Sequence, residues 1–255
     1  MTYNILEGGE GRVDPLAETV RLAGADVVVV QEAWDRELFQ RLADRLHMDC
    51  FLAEHPTNAQ GHCGLLSRWR IREAVNHAGV RGGGESRLSR AVFHAVVESG
   101  GVTLPVIGVH LHAGELWENE ERRLEELEEV LEIGGIFSGM PHVIAGDFNS
   151  SHPQQVIDES KVRPATRERV GRQGNEFPRK VVRAMLEAGY VDAHALHHAG
   201  KELGRSFTTA HPAMRVDYIF VSPDLCPQVR SCDVFTPSIG RYASDHYPVV
   251  AELAF

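Results

Sequence analysis

Two short stretches decide the fold: residues 26–34, which read DVVVVQEAW, and residues 142–150, which read HVIAGDFNS. Each contains a run of apolar residues without polar alternation, which is typical of a strand that is buried on both faces. An acid follows each run: Glu32 comes after four valines and Gln31 in the first stretch, and Asp147 comes directly after the second run. The pattern predicts central strands that bring carboxylates to one edge of a sheet.

Further apolar runs lie on both sides of these two stretches. Strands are predicted at residues 1–6, 26–31, 63–67, 91–97, 103–110, 142–146, 216–221 and 248–253. Helices are predicted at residues 15–24 with Asp14 as N-cap, 36–47 with Asp35 as N-cap, 115–133 and 178–188. Because the strands outnumber the long helices, we expect one α/β domain over residues 1–255, with two packed sheets between helices.

The clearest predicted helix is residues 115–133, whose apolar side chains share one face. Glutamates fill the rest of the segment, and we expect them to form a solvated face rather than a partner site. The apolar face consists of Trp117, Leu124, Leu127 and Leu131.

Composition limits the possible functions. The chain has 255 residues, 26 Lys and Arg against 36 Asp and Glu, and a net charge of -10, which argues against coating nucleic acid by charge alone. It contains no apolar run of about 18 residues, so no membrane span is predicted. No basic start followed by an apolar stretch is present, so we expect a cytoplasmic protein, although the first strand begins so near Met1 that a leading segment could be missing.

Polar residues stand where the apolar strands begin or end, which is where sites collect on α/β scaffolds. Taken singly, each has an ordinary explanation as a cap or a turn residue. Together they offer the oxygen ligands that Mg²⁺ and Mn²⁺ prefer and the imidazoles that act on phosphoryl oxygens, which suits metal-assisted attack on phosphorus. The set is Asn4, Glu32, His110, Asp147, Asn149, Asp217, Asp245 and His246.

Six stretches in this order resemble the endonuclease/exonuclease/phosphatase superfamily, which includes the DNase I-like nucleases, neutral sphingomyelinases and inositol polyphosphate 5-phosphatases. They read TYNIL, VVVVQEAW, GVHLHAG, IAGDFNS, SFTT followed by RVDYIFVS, and ASDHYPVVAEL. The resemblance spans essentially the whole chain. It implies a four-layer α/β sandwich, with two mixed β-sheets packed face to face and flanked by α-helices.

The resemblance also implies a site for Mg²⁺ or Mn²⁺. Glu32 would be the principal metal ligand, and Asp245 would be a further ligand, direct or through water. Asn4 would lie near the metal and contact phosphate or a metal-bound water. Asp147 would bind or orient the attacking water, and it is a candidate ligand of a second metal.

The same resemblance assigns the residues around the phosphate. Asn149 would donate a hydrogen bond to a phosphate oxygen, and His246 would contact the scissile phosphate as base or as transition-state stabiliser. Asp217 would pair with His246 and fix its tautomer. His110 would stabilise or protonate the leaving oxygen. Apurinic-site endonucleases of this superfamily tend to carry a tyrosine there, so the histidine favours the general phosphodiesterase side.

Two basic segments are candidates for substrate contact. Residues 162–183 hold six arginines and one lysine against two glutamates, and they form either a phosphate-binding lid or a solvated segment with Arg–Glu pairs. Residues 82–90 read GGGESRLSR, and Glu85, Arg87 or Arg90 could approach the substrate. The ordinary alternative is a loop that links two strands.

The histidines suggest a different chemistry. His194, His197 and His198 have spacings of three and four residues, which would place imidazoles together on a helix. A metal site there lacks an identifiable further ligand, so we expect a polar helix face.

We therefore predict a monomeric, Mg²⁺- or Mn²⁺-dependent hydrolase of a phosphate ester, most simply a phosphodiesterase or nuclease whose partner could be nucleic acid. A phosphomonoesterase or an enzyme like the sphingomyelinases and inositol phosphatases is one alternative. A non-catalytic binding module on the same fold is another, and a zinc hydrolase built from the histidines is a third.

Overall fold

The computed structural model describes residues 1–79 and 86–255. The strands are β1 (Thr2–Asn4), β2 (Val27–Gln31), β3 (Asp49–Ala53), β4 (Cys63–Ser67), β5 (Arg70–Asn76), β6 (Phe93–Ser99), β7 (Val102–His110), β8 (Val143–Asp147), β9 (Val191–Asp192), β10 (Asp217–Val221), β11 (Val229–Val234) and β12 (Val249–Leu253). The helices are α1 (Val13–Ala23), α2 (Arg36–Leu46), α3 (Trp117–Gly135), α4 (Pro164–Gly171), α5 (Lys180–Glu187), α6 (Ala193–His197) and α7 (Gly240–Ala243).

Within the described residues, these strands form two mixed six-stranded sheets. The first sheet has the order β11-β12-β1-β2-β4-β3, and the second has the order β5-β6-β7-β8-β10-β9. Each contains one parallel pair, β1 with β2 in the first sheet and β7 with β8 in the second. The carboxyl ends of both parallel pairs carry polar residues of the predicted site.

Three apolar cores hold four layers together. One core lies between the sheets and includes Leu65, Phe93 and Val249. A second packs α1 and α2 against the outer face of the first sheet, and a third packs α3 and α5 against the second sheet. The predicted four-layer α/β sandwich is therefore confirmed. Among the helices of the described residues, none is both long and apolar enough to cross a membrane.

All eight predicted strands and all four predicted helices are present, with ends shifted by at most two residues. One helix start is wrong: α1 begins at Val13, so Asp14 lies inside the first turn instead of capping it. Pro15 is tolerated there because first-turn amides have no acceptor within the helix. Asp35 does cap α2, since its side chain accepts hydrogen bonds from the amides of Glu37 and Leu38.

The charged face of α3 also differs from the prediction. Glu120, Glu126 and Glu129 are buried, whereas we expected solvated glutamates. Glu120 pairs with the buried Arg123, and Glu126 accepts hydrogen bonds from the backbone amides of two loop residues. A buried carboxylate is tolerated when such partners compensate its lost hydration. The helix therefore anchors the loops beside it through its acids.

Candidate active site

The first sheet brings two of the predicted residues together. Asn4 ends β1 and pairs in register with Gln31, so Glu32 follows directly beside it. The Asn4 side-chain amide donates to Glu32 Oε1 and to Asp147 Oδ2, with both distances 3.1 Å. Glu32 Oε2 accepts from the amide of Glu7 at 2.8 Å. Asn4 therefore joins the carboxylates of the two decisive stretches across the gap between the sheets.

The second sheet places three further residues in one row. Asp147 at the end of β8 lies opposite His110 of β7 on one side and Asp217 of β10 on the other. His110 Nε2 lies 3.5 Å from Asp147 Oδ2. A Cβ at Gly146 would lie 1.9 Å from the carbonyl oxygen of Val109, so only glycine allows β7 and β8 to approach this closely just before Asp147.

His246 completes the group from the segment before β12. Its Nδ1 lies 2.9 Å from Asp217 Oδ2, and its Nε2 lies 3.9 Å from Asp147 Oδ2. Ser244 holds this segment in place, since its hydroxyl donates to the Asn4 carbonyl at 2.7 Å and accepts from the His246 amide at 3.1 Å. We call Asp147, Asp217 and His246, which the sequence predicted to be catalytic, the catalytic cluster. One candidate ligand atom of each lies within 4.8 Å of those of the others.

Burial and neighbouring charges shift the proton affinities of this group. Burial, and then the charge of the nearby Asp217 carboxylate, raises the pKa of Asp147 to about 7. Burial alone would lower the pKa of His246, but Asp217 and then Asp147 raise it to about 10. Burial, with the Arg90 and His246 charges, lowers the pKa of His110 well below its usual range. His246 is therefore a charged donor and His110 a neutral imidazole at neutral pH.

The remaining two predicted residues lie at the mouth of the group. The Asn149 amide donates to Asp147 Oδ1 at 2.9 Å, and its side chain donates to the Leu111 carbonyl at 3.1 Å. Asn149 has a φ of 48°, a left-handed conformation that asparagine tolerates better than most residues. Asp245 Oδ2 lies 3.6 Å from a guanidinium nitrogen of Arg163.

These residues fit a hard divalent cation. Glu32, Asp147 and Asp245 offer carboxylate oxygens to one cavity. Asp245 Oδ1 is buried and has no hydrogen-bond partner among the described residues, which is what a ligand atom awaiting a cation would show. Oxygen donors of this kind suit Mg²⁺ and Mn²⁺. Glu32, Asp245, Asn4 and Asp147 are the residues that would hold the metal or its waters.

The cavity above these residues has a volume of about 300 Å³. Its basic lining comes from the segment predicted to be a lid, with Lys161 just ahead of it and Arg163 and Arg169 within it. The same segment also forms the Arg–Glu pairs of the alternative prediction, for example between Arg172 and Glu168 at 2.6 Å. The segment therefore lines the cavity and also contains the predicted Arg–Glu pairs, and its role in phosphate binding stays a prediction.

The two other predicted substrate residues have partners outside the cavity. Arg87 forms an ion pair with Glu128 of α3, and Arg90 donates to the Leu111 carbonyl at 2.6 Å. Neither belongs to the described lining of the cavity. Glu85 lies outside the described residues.

Sequence reasoning missed Phe207, whose ring centroid lies 4.7 Å from that of His246. The Arg163 guanidinium lies over the Phe207 ring, 5.5 Å from its centroid. Phe207 stands in the stretch SFTT, which precedes RVDYIFVS, but a lone phenylalanine between polar residues carries no periodic signal.

Comparison with known proteins identifies the family. The profile of the Endonuclease/Exonuclease/phosphatase family matches residues 1–246, so the chain belongs to this family. No curated protein matches the chain in sequence.

Solved structures agree on the fold. An AP endonuclease from Archaeoglobus fulgidus is 17% identical with a TM-score of 0.72, covering 100% of this chain and 98% of its own. A 3′ phosphatase from Neisseria, solved with a product DNA hairpin, is 18% identical with a TM-score of 0.72 and the same coverage. An endonuclease/exonuclease/phosphatase from Bacteroides vulgatus is 20% identical with a TM-score of 0.70, covering 99% of this chain and 97% of its own. At such identities the likeness shows the fold.

Proposed function

We propose that this protein is a Mg²⁺- or Mn²⁺-dependent phosphoesterase that hydrolyses phosphodiesters, with nucleic acid as the leading substrate class. The observation that carries the proposal is the junction at Asn4, whose one amide group binds both Glu32 and Asp147. Beside that junction stands a charged imidazole, His246, held by Asp217. Membership of a family of phosphoesterases supports the same conclusion.

The metal would be held by Glu32 and Asp245, and it would supply charge neutralisation at a phosphate oxygen. Asp147 would orient the attacking water and accept its proton, and the pKa of this carboxyl, which burial raises to about 7, supports that role. Asn4 keeps Asp147 and Glu32 at fixed separation.

The remaining groups act on the phosphate and the leaving oxygen. His246 donates from Nε2 to a phosphoryl oxygen, while Asp217 holds Nδ1 and thereby fixes the ring. Asn149, which lines the cavity, would donate to a second phosphoryl oxygen. His110, a neutral imidazole next to Asp147, would stabilise the leaving oxygen.

The cavity lining favours an anionic substrate with more than one phosphate. Lys161, Arg163 and Arg169 line the same cavity as the acids, although the chain as a whole is acidic. Cations clustered beside a metal site bind phosphates that flank the scissile one. Phe207 adds an apolar surface against which a base or an aryl group could pack.

The test is hydrolysis of an aryl phosphodiester beside the matching monoester, in Mg²⁺, Mn²⁺, Zn²⁺ and EDTA. We expect diester turnover in Mg²⁺ or Mn²⁺, its loss in EDTA, and a fall in kcat of about 10²–10⁴-fold in Asp147→Asn. Asp14→Asn is the matched control, because Asp14 pairs with Arg45 at the exposed surface outside the cavity lining and should keep most of the activity.

The outcomes separate the alternatives. Faster cleavage of the monoester would replace the diesterase proposal with a phosphomonoesterase. Metal binding without turnover of either ester, or of DNA and RNA oligonucleotides, would favour the non-catalytic module. Activity with Zn²⁺ alone that survives Asp147→Asn would point to a zinc hydrolase.

A further inference from the structure

A second group of metal-binding side chains lies away from the catalytic cluster. His194 lies in α6, His198 follows the end of that helix, and Asp233 lies on β11. His198 Nε2 is 2.9 Å from Asp233 Oδ1, and the two imidazole rings are stacked with centroids 4.1 Å apart. One ligand atom from each of the three residues lies within 4.8 Å of the others.

The fold explains why these residues meet. The strand before α6 is β9, at the edge of the second sheet, and β11 is at the edge of the first sheet. The spacing of four residues puts His194 and His198 on neighbouring turns. The third histidine of the segment is elsewhere, because His197 Nε2 contacts the Val229 carbonyl at 3.2 Å. Asp233 is thus the candidate further ligand that the sequence did not identify.

The expected polar helix face is also wrong for His194, which is buried. Its Nδ1 has no hydrogen-bond partner among the described residues. Burial, followed by the charge of Arg215, lowers the pKa of His194 to about 4, so this imidazole is neutral at neutral pH. Neutral imidazole is the form that binds metal ions. The positive charge of Arg215 does not oppose cation binding at His194, because Asp192 pairs with Arg215.

We propose that His194, His198 and Asp233 form a binding site for a transition-metal cation of the zinc class. Two imidazole nitrogens and one carboxylate oxygen suit Zn²⁺, whereas Mg²⁺ prefers oxygen ligands throughout. Water would fill the fourth position, since Asp233 is exposed and His198 partly so. The cation would connect the edges of the two sheets and stabilise the sandwich there.

The experiment measures zinc affinity by competition with a chromophoric chelator. All proteins carry Asp147→Asn, so that zinc bound at the catalytic cluster is weakened equally. We expect the Asp147→Asn parent to bind one equivalent of zinc. Adding His198→Ala or Asp233→Asn should weaken the zinc affinity at least about tenfold. His197→Ala is the matched control and should bind zinc like the parent. Equal binding in the parent and in Asp233→Asn, or equal loss in His197→Ala, would overturn the proposal.

Thermal unfolding gives a second measurement that does not depend on activity. Zinc should raise the Tm of the parent and of His197→Ala, because a ligand that binds the folded state stabilises it. It should raise the Tm of Asp233→Asn much less. Asp233 is exposed, so this variant should fold normally without metal. An equal zinc-dependent rise in all three proteins would leave His198 and Asp233 as a simple hydrogen-bonded pair.

Discussion

Arg215 and Asp217 stand two positions apart, and both are buried, but their surroundings differ. Arg215 has an opposite charge beside it, because both of its terminal guanidinium nitrogens donate to the carboxylate of Asp192. Asp217 has a like charge beside it, since Asp147 is its neighbour across the sheet. One oxygen of Asp217 binds His246, and the other has no partner among the described residues.

The difference appears in the proton affinities. Burial alone would raise the pKa of Asp192, but the Arg215 guanidinium lowers it below its ordinary value. Burial and Asp217 together raise the pKa of Asp147. The Asp192–Arg215 pair is therefore a structural element, while the catalytic cluster keeps an energetic cost that a metal or a substrate can relieve. Such conflicts are expected at functional sites and are offset elsewhere in the fold.

The largest effect should come from breaking the structural pair. Arg215→Met would leave the Asp192 carboxylate buried without its cation, and we expect a loss of about 3–5 kcal/mol in the free energy of unfolding. Urea denaturation measures it. Arg172→Met is the matched control, because Arg172 pairs with Glu168 at the exposed surface and should change stability by less than about 1 kcal/mol. Equal losses in the two variants would mean that the buried pair contributes no more to stability than the exposed pair.

A smaller effect should follow from changing Glu126 of α3. This buried carboxylate accepts from the amides of Ser89 at 3.0 Å and His112 at 2.7 Å. Glu126→Gln turns one acceptor into a donor and weakens these bonds, so we expect a loss of about 2 kcal/mol in unfolding free energy. Glu125→Gln changes an exposed neighbour and is the control. A loss no larger than that of the control would mean that Glu126 does not anchor these loops.

The sequence predicted the parts of the fold that depend on local pattern. Strands β2 and β4 are buried on both faces, and their apolar runs located them. Strands β3 and β5 were missed because they are edge strands with mostly exposed or half-buried residues, which leaves little apolar pattern to detect. The buried acids of α3 were missed because their partners, apart from Arg123 in the same helix, are backbone amides and side chains that the fold brings from distant positions.

The candidate site likewise has features that the sequence could predict and features that it could not. Each polar residue could be found by its position at a strand end, and the structure brings Glu32, Asp147 and His246 to one cavity. Their pairings could not be found locally, because the bonds of Asn4 to Glu32 and Asp147 span 28 and 143 residues. The partner of His198 was hidden for the same reason, since Asp233 lies 35 residues further along the chain.

The smallest expected effect has the opposite sign from the first. A carboxyl whose pKa is raised on folding contributes stability below the unfolded pKa of 3.8, and this contribution is lost as the pH rises through about 7. In EDTA, Asp147→Asn should therefore be more stable than the unsubstituted protein at about pH 8, by about 1 kcal/mol. This gain should shrink towards about pH 4. Urea denaturation at the two pH values measures the gain. Asp192→Asn should instead destabilise the protein at about pH 8, because it leaves Arg215 unpaired. If both variants lost stability at that pH, the catalytic cluster would be as well compensated as the structural pair, and the conflict inferred for Asp147 would not exist.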